Sequence, residues 1–145
     1  MIEQKQQEIV KAYFRGEISE KRMLKELDKP DHKKTGQNKY LNKKVTVDGI
    51  EFDSVKEANY YFYLKQLQKT GEVVKIELQP RFELLPGFAK NGKKYRPINY
   101  TADFKVTYAD GRVEVIDTKG YKTQVFMLKH KLFEYKYSNL SLKLV

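Results

Sequence analysis

The 145-residue sequence has no cysteine, no tryptophan and only two histidines. Without cysteine there can be no disulfide framework, no cysteine-based zinc finger and no thiol nucleophile. His32 and His130 stand far apart in the chain, which argues against a His-rich metal site or an obligatory histidine base. No apolar run reaches membrane-spanning length, and the N-terminus has no signal-peptide hydrophobic segment. The expectation is a cytoplasmic protein that engages no membrane.

What the chain does have is positive charge. Lys and Arg number 29 against 19 Asp and Glu, a formal net charge of +10. That excess favours a polyanionic partner, nucleic acid above all, because each neutralised phosphate releases condensed counterions. Lysines outnumber arginines 24 to five, favouring point contacts to phosphates over bidentate reading of bases. Eleven tyrosines and eight phenylalanines support a folded core. The length suits one domain with a small appendage.

Residues 1–28 read as two short helices. Ile9, Val10, Tyr13 and Phe14 form one apolar stripe, broken at Gly16. Ser19 can cap a second helix with Met23, Leu24 and Leu27 on its narrow apolar face. Such a pair is too small to fold alone, so it packs on the main domain, on a sister copy or on a protein partner. Residues 29–44 carry six lysines with Pro30 and Gly36 as breakers, and read as a solvated linker or a basic arm along a phosphate backbone.

Residues 45–145 read as one unit of mixed type, an α/β sheet flanked by helices. Val45–Phe52 suggests a small hairpin around Asp48-Gly49, and Ser54 begins a helix reaching about Thr70, closed by Gly71. Strands are expected at Val73–Leu78 and Arg81–Leu85, then a basic loop at Lys90–Lys94. A hairpin of Ile98–Tyr108 with Arg112–Lys119 follows, then a helix over about Thr123–Tyr137 and a last strand at Leu140–Val145.

Three acidic positions invite a chemical reading. In Ser54-Val55-Lys56-Glu57 the spacing is that of a capping box, with Glu57 reaching back to the cap. Wound at 100° per residue, however, Glu57 falls within the arc that holds Ala58, Tyr60, Tyr61 and Leu64. Asp103 stands inside a predicted strand, where aspartate is depleted, although it alternates with Ala102 and Phe104 as an outward residue would. Asp117 and Lys119 share one face of a strand end, ~7 Å apart along the chain. They make either a surface ion pair or a metal ligand beside a cation.

The ordered set of helix Glu57, strand Asp103 and strand Asp117-Thr118-Lys119-Gly120 resembles the PD-(D/E)XK nuclease superfamily. The likeness covers about residues 38–145. Asn38-Lys39-Tyr40, the Phe52–Ala58 stretch, Leu78-Gln79-Pro80 and Tyr100-Thr101-Ala102-Asp103-Phe104 are similar to a phage and prophage group of nuclease-like proteins. Ala102 replaces the proline of the family name, and Asp117 stands where Glu is commoner. The resemblance implies a restriction-endonuclease-like mixed sheet flanked by helices, with the N-terminal helical pair outside it. It implies a DNA endonuclease dependent on Mg²⁺ or Mn²⁺, acting in a host cytoplasm if phage-encoded and suited to branched recombination intermediates. Asp103, Asp117 and the Thr118 carbonyl would hold the ion, Glu57 would bind it or a second one through water, and Lys119 would orient or help deprotonate the attacking water. Lys39, Lys43, Lys44, Lys93, Lys94, Lys122, Gln124 and Lys129, with His130 nearby, are candidates for contacts to DNA. A homodimer is the default assembly for cutting both strands. The alternative reading is a catalytically silent nuclease-like module that grips DNA or blocks a host protein.

The hairpin offers a test. A two-residue turn at Asp110-Gly111 would place Asp103 opposite Thr118 and aim the two aspartates at opposite faces. A three-residue loop, with Gly111 left-handed, places Asp103 opposite Asp117. The apolar pattern favours the two-residue turn, but a shared metal needs the three-residue loop or a bulge near Asp103. The expectation is the loop or the bulge.

Overall fold

Apolar residues at helical spacing form α1 (Gln4–Phe14) and α2 (Glu20–Leu27), separated by a turn at Gly16. Ser19 caps α2, its hydroxyl accepting the Arg22 N–H at 3.3 Å. The computed structural model describes residues 4–27, 44–118 and 122–145. The expected linker at 29–44 therefore lies, except for Lys44, outside the described residues. Two compact units divide the chain, residues 1–66 and 67–145.

In the first unit, a two-residue turn at Asp48 and Gly49 (φ +52° and +76°) joins β1 (Val45–Val47) to β2 (Ile50–Phe52). Helix α3 (Val55–Thr70) follows and crosses into the second unit over its last turn. The helical pair packs on α3 of its own chain. The Tyr13 ring meets Tyr63 edge-on at 5.6 Å, Asn59 Nδ2 donates to the Leu27 carbonyl at 3.4 Å, and the Tyr63 hydroxyl donates to Glu20 at 3.4 Å. Val10, Met23 and Leu27 are buried, which supplies the stability that a lone helical pair lacks.

The second unit is built on one long antiparallel ribbon. β3 (Val73–Leu78) pairs with β8 (Phe104–Tyr108), and β4 (Arg81–Leu85) pairs with β7 (Ile98–Thr101), in the same register. The expected single strand over 98–108 is thus two, interrupted at Ala102 and Asp103. The cause lies across the ribbon. Pro80 has no N–H to give, and Gln79 turns left-handed (φ +48°), so the ladder kinks there. Two bonds carry the chain across the kink, Gln79 N–H to the Asp103 carbonyl (2.9 Å) and Ala102 N–H to the Pro80 carbonyl (3.1 Å).

The expected basic loop at Lys90–Lys94 is instead a hairpin, β5 (Phe88–Lys90) with β6 (Lys93–Tyr95). Asn91 and Gly92 (φ +50° and +71°) form the two-residue turn whose twist matches paired strands. β9 (Val113–Asp117), α4 (Gln124–Lys136) and β10 (Leu142–Leu144) then form a parallel crossover, giving a four-stranded mixed sheet ordered β10-β9-β8-β3. Thr123 caps α4 by accepting the Phe126 N–H at 3.0 Å. Phe82, Tyr100, Val115, Phe126 and Phe133 lead the core on the α4 side, with Phe82 edge-on to Phe133 at 5.0 Å. The architecture is mixed α/β, with four helices and several sheets among the described residues. None of those helices is long and apolar enough to cross a membrane.

Candidate functional site at the end of the central hairpin

The register of β8 against β9 decides where the acidic residues stand. Tyr108 N–H donates to the Arg112 carbonyl (2.9 Å), Gly111 N–H donates to the Tyr108 carbonyl (3.0 Å), and Gly111 has φ +87°. Ala109-Asp110-Gly111 is therefore a three-residue loop. Thr107 pairs with Val113, Val106 with Glu114, Lys105 with Val115 and Phe104 with Ile116. The pairing ends at Phe104 and Ile116, with Asp103 next to one and Asp117 next to the other at the same end of the hairpin.

This register places polar residues across from apolar ones, and the surroundings absorb the cost. Glu114, across from Val106, accepts from the Tyr108 hydroxyl at 2.9 Å and from Arg112 at 3.0 Å, with Lys143 at 3.8 Å. Lys105, across from Val115, lies 3.8 Å from Glu77. A polar group that keeps its partners can sit beside apolar neighbours without a large penalty. The loop geometry therefore overrides the simpler apolar alternation.

At Asp103 the ladder is also irregular. Its N–H donates to the Ile116 carbonyl at 3.1 Å, one residue out of step with the Phe104 pairing, in the manner of a bulge. Its carboxylate takes over the bonding beyond. Oδ2 accepts both the N–H and the hydroxyl of Thr118, each at 2.7 Å. Two donors on one oxygen fix the side chain, and Oδ1 accepts no bond among the described residues.

Asp117 ends β9 and is only 3% exposed. A buried carboxylate needs donors. The Tyr100 hydroxyl, from β7, donates to Oδ2. Burial pushes the Tyr100 phenol up, as do its bond to Asp117 and the negative charges of Asp117 and Asp103. Both carboxylates thus lie within electrostatic reach of one buried hydroxyl. Tyr100 is the residue that sequence reading missed. Its strand alternation placed it with Ala102 and Phe104 as core, and only the general need of a buried tyrosine for a partner hinted at more.

The other candidates are placed as follows. Thr118 is buried, and its N–H and hydroxyl bond to Asp103. Lys119, Lys39 and Lys43 lie outside the described residues. Glu57 belongs to the first unit and the aspartates to the second. Its N–H donates to Ser54 Oγ at 3.1 Å, and that hydroxyl donates back to Oε1 at 3.2 Å, so the capping role is filled. Lys44 pairs with Glu51 at 2.7 Å. Lys93 and Lys94 are exposed on β6, Lys122 and Gln124 are exposed at the approach to α4, and Lys129 is half-buried on it. His130 lies 3.3 Å from Glu134.

Among the described residues no group of three or more His, Cys, Asp or Glu side chains could hold a metal. Two carboxylates and a backbone carbonyl are nevertheless a hard, all-oxygen donor set. Such a set fits Mg²⁺ or Mn²⁺, since Mg²⁺ commonly takes one or two protein carboxylates and fills its shell with water and phosphate. No curated protein and no solved structure matches the chain. Residues 37–145, most of the chain, match the family described as "Protein of unknown function (DUF1064)", and the chain belongs to that family.

Proposed function

We propose that the protein is a metal-dependent DNA endonuclease of restriction-endonuclease-like fold, hydrolysing phosphodiester bonds at the Asp103/Asp117 end of the central hairpin. The observation that carries this reading is the bonding of the Asp103 carboxylate to Thr118, the neighbour of Asp117, at the end of a hairpin closed by a three-residue loop. Further support comes from the four-stranded sheet, in which the antiparallel strands β3, β8 and β9 are followed through α4 by the parallel strand β10. The resemblance to PD-(D/E)XK enzymes expects the acidic residues on this framework, and the net charge of +10 suits a DNA partner.

Asp103, Asp117 and the Thr118 carbonyl would hold Mg²⁺ or Mn²⁺. Bound there, the ion would neutralise phosphate oxygens and lower the pKa of water. The chain's own residues do the rest. Thr118 and Tyr100 orient the carboxylates from behind, as outer partners of a metal site do. Lys119 orients the attacking water and helps remove its proton. The water oxygen bonds to phosphorus and its proton passes to solvent, the bond to the leaving oxygen breaks, and that alkoxide takes a proton from solvent.

The test is cleavage of duplex, flap and four-way-junction DNA by the purified protein with Mg²⁺ or Mn²⁺. Cutting should stop in chelator and fall at least ~100-fold in Asp103→Asn and Asp117→Asn, with DNA binding retained. Unchanged cutting in both variants would refute the site. Binding of DNA without cutting by the unsubstituted protein would instead indicate the silent binding module.

A further inference from the structure

Outside the aspartate pair, the most distinctive surface is the β5–β6 hairpin. Every residue from Leu85 to Pro97 is exposed. No Asp or Glu occurs between Glu83 and Asp103, while Lys90, Lys93, Lys94 and Arg96 all fall in that interval. Elsewhere in the second unit, Lys75, Lys105, Arg112, Lys136 and Lys143 each have a carboxylate within 4.0 Å, while among the described residues Lys69, Arg81, Lys122, Lys129 and Lys131, spread over several elements, do not. Among the described residues, none of the four hairpin cations has one.

The register sharpens the point. Phe88 pairs with Tyr95, Ala89 with Lys94, and Lys90 with Lys93. Alternation therefore puts Phe88, Lys90, Lys93 and Tyr95 on one face of the ribbon. Like charges directly across an antiparallel pair repel, so Lys90 facing Lys93 weakens the hairpin in isolation. An anion between the two ammonium groups would reverse the sign. The aromatic pair stiffens the base of the ribbon, with rings stacked at 4.7 Å and 10° and with 46% and 41% of Phe88 and Tyr95 exposed. Each ring already covers a face of the other, so the pair is a brace rather than a platform on which bases stack.

We infer that the β5–β6 hairpin is a nucleic-acid contact arm that lies in a groove of duplex DNA, with Lys90, Lys93 and Lys94 on its phosphates. A two-stranded ribbon fits the major groove, and lysines supply contacts that do not depend on sequence. The arm is joined to β4 and β7 through Pro86-Gly87 and Arg96-Pro97. Gly92 at its tip lies about 36 Å along the extended chain from Asp103, close to one helical turn of duplex. The inference rests on DNA being the partner in the proposed function, but not on catalysis.

The test uses the full chain, chelator in place of metal, and a labelled duplex of about 20 base pairs (two helical turns), titrated from about 50 to 200 mM salt. In the Lys90→Gln/Lys93→Gln/Lys94→Gln variant, affinity should fall at least about tenfold and the log–log salt slope should flatten by about two to three. Thermal stability should hold or rise, because the facing charges are gone. The single change Lys93→Gln should flatten the slope by about one. An unchanged slope in both variants, or tighter binding of a single strand of equal length, would overturn the assignment. Because no metal is present, a protein that cuts nothing can still pass this test, and an active nuclease can still fail it.

Discussion

The hydroxyl of Tyr100 donates to Oδ2 of Asp117, seventeen residues away in sequence and on a strand that is not its neighbour in any sheet. That bond satisfies a carboxylate with almost no access to water. Tyr100→Phe keeps the ring in the core and removes only the donor. It should cost about 1–3 kcal/mol in urea unfolding and weaken Mn²⁺ binding roughly 10- to 100-fold. A variant equal to the parent in both measurements would leave Tyr100 as core packing alone.

Alkaline pH should expose the same residue. Burial raises the Tyr100 phenol above its ordinary 10.0, with Asp117 adding to the effect, and burial likewise raises Tyr63, helped by its bond with Tyr13 and by Glu20. Above about pH 10 the unfolded chain loses phenolic protons that the native state keeps. The stability these two groups confer is therefore complete below that pH and is lost progressively as the pH rises beyond it. Urea midpoints measured at about pH 9 and about pH 11 should fall, and Tyr63→Phe with Tyr100→Phe should make the fall shallower. An identical fall in the double variant would rule out this source.

Gly111 holds the loop that sets the register. An added Cβ would meet nothing within 4 Å, so a substitution there costs only the left-handed backbone. Gly111→Ala should lose about 1–2 kcal/mol, and Gly111→Asn less, because asparagine tolerates that conformation better. Equal stability of all three proteins in chemical denaturation would contradict the φ of +87°.

Glu57 can be separated from its capping role. Glutamine serves at the third position of a capping box as glutamate does, so Glu57→Gln should leave the melting temperature nearly unchanged. If it shares in cleavage, as the resemblance to PD-(D/E)XK enzymes implies, cutting should fall at least about tenfold. Retained cutting would confine Glu57 to the cap.

Local elements were largely readable from residue order, because caps and turns are short-range chemistry. Ser54, Thr123 and Asp48-Gly49 mark their helices and turn without reference to the rest of the chain. Asn91-Gly92 carried an equally plain hairpin signal, yet its lysine-rich flanks read as loop because the short strands beside it bury nothing. A bulge near Asp103 is expected only from what a shared metal would need; its physical cause, Pro80 between β3 and β4, is not local to Asp103.

By itself, then, residue order determined the helices, most strands, the basic character and the three acids worth watching. Spacing and propensity act over a few residues, and charge simply adds up. The three-residue loop is expected only because a shared metal would need it; tertiary structure alone decided that Tyr100 bonds to Asp117 and Thr118 to Asp103. A strand can pair in two registers that differ by one residue, and the choice rested on a single left-handed glycine. Its cost against apolar matching was met by partners for Glu114 and Lys105 drawn from distant segments.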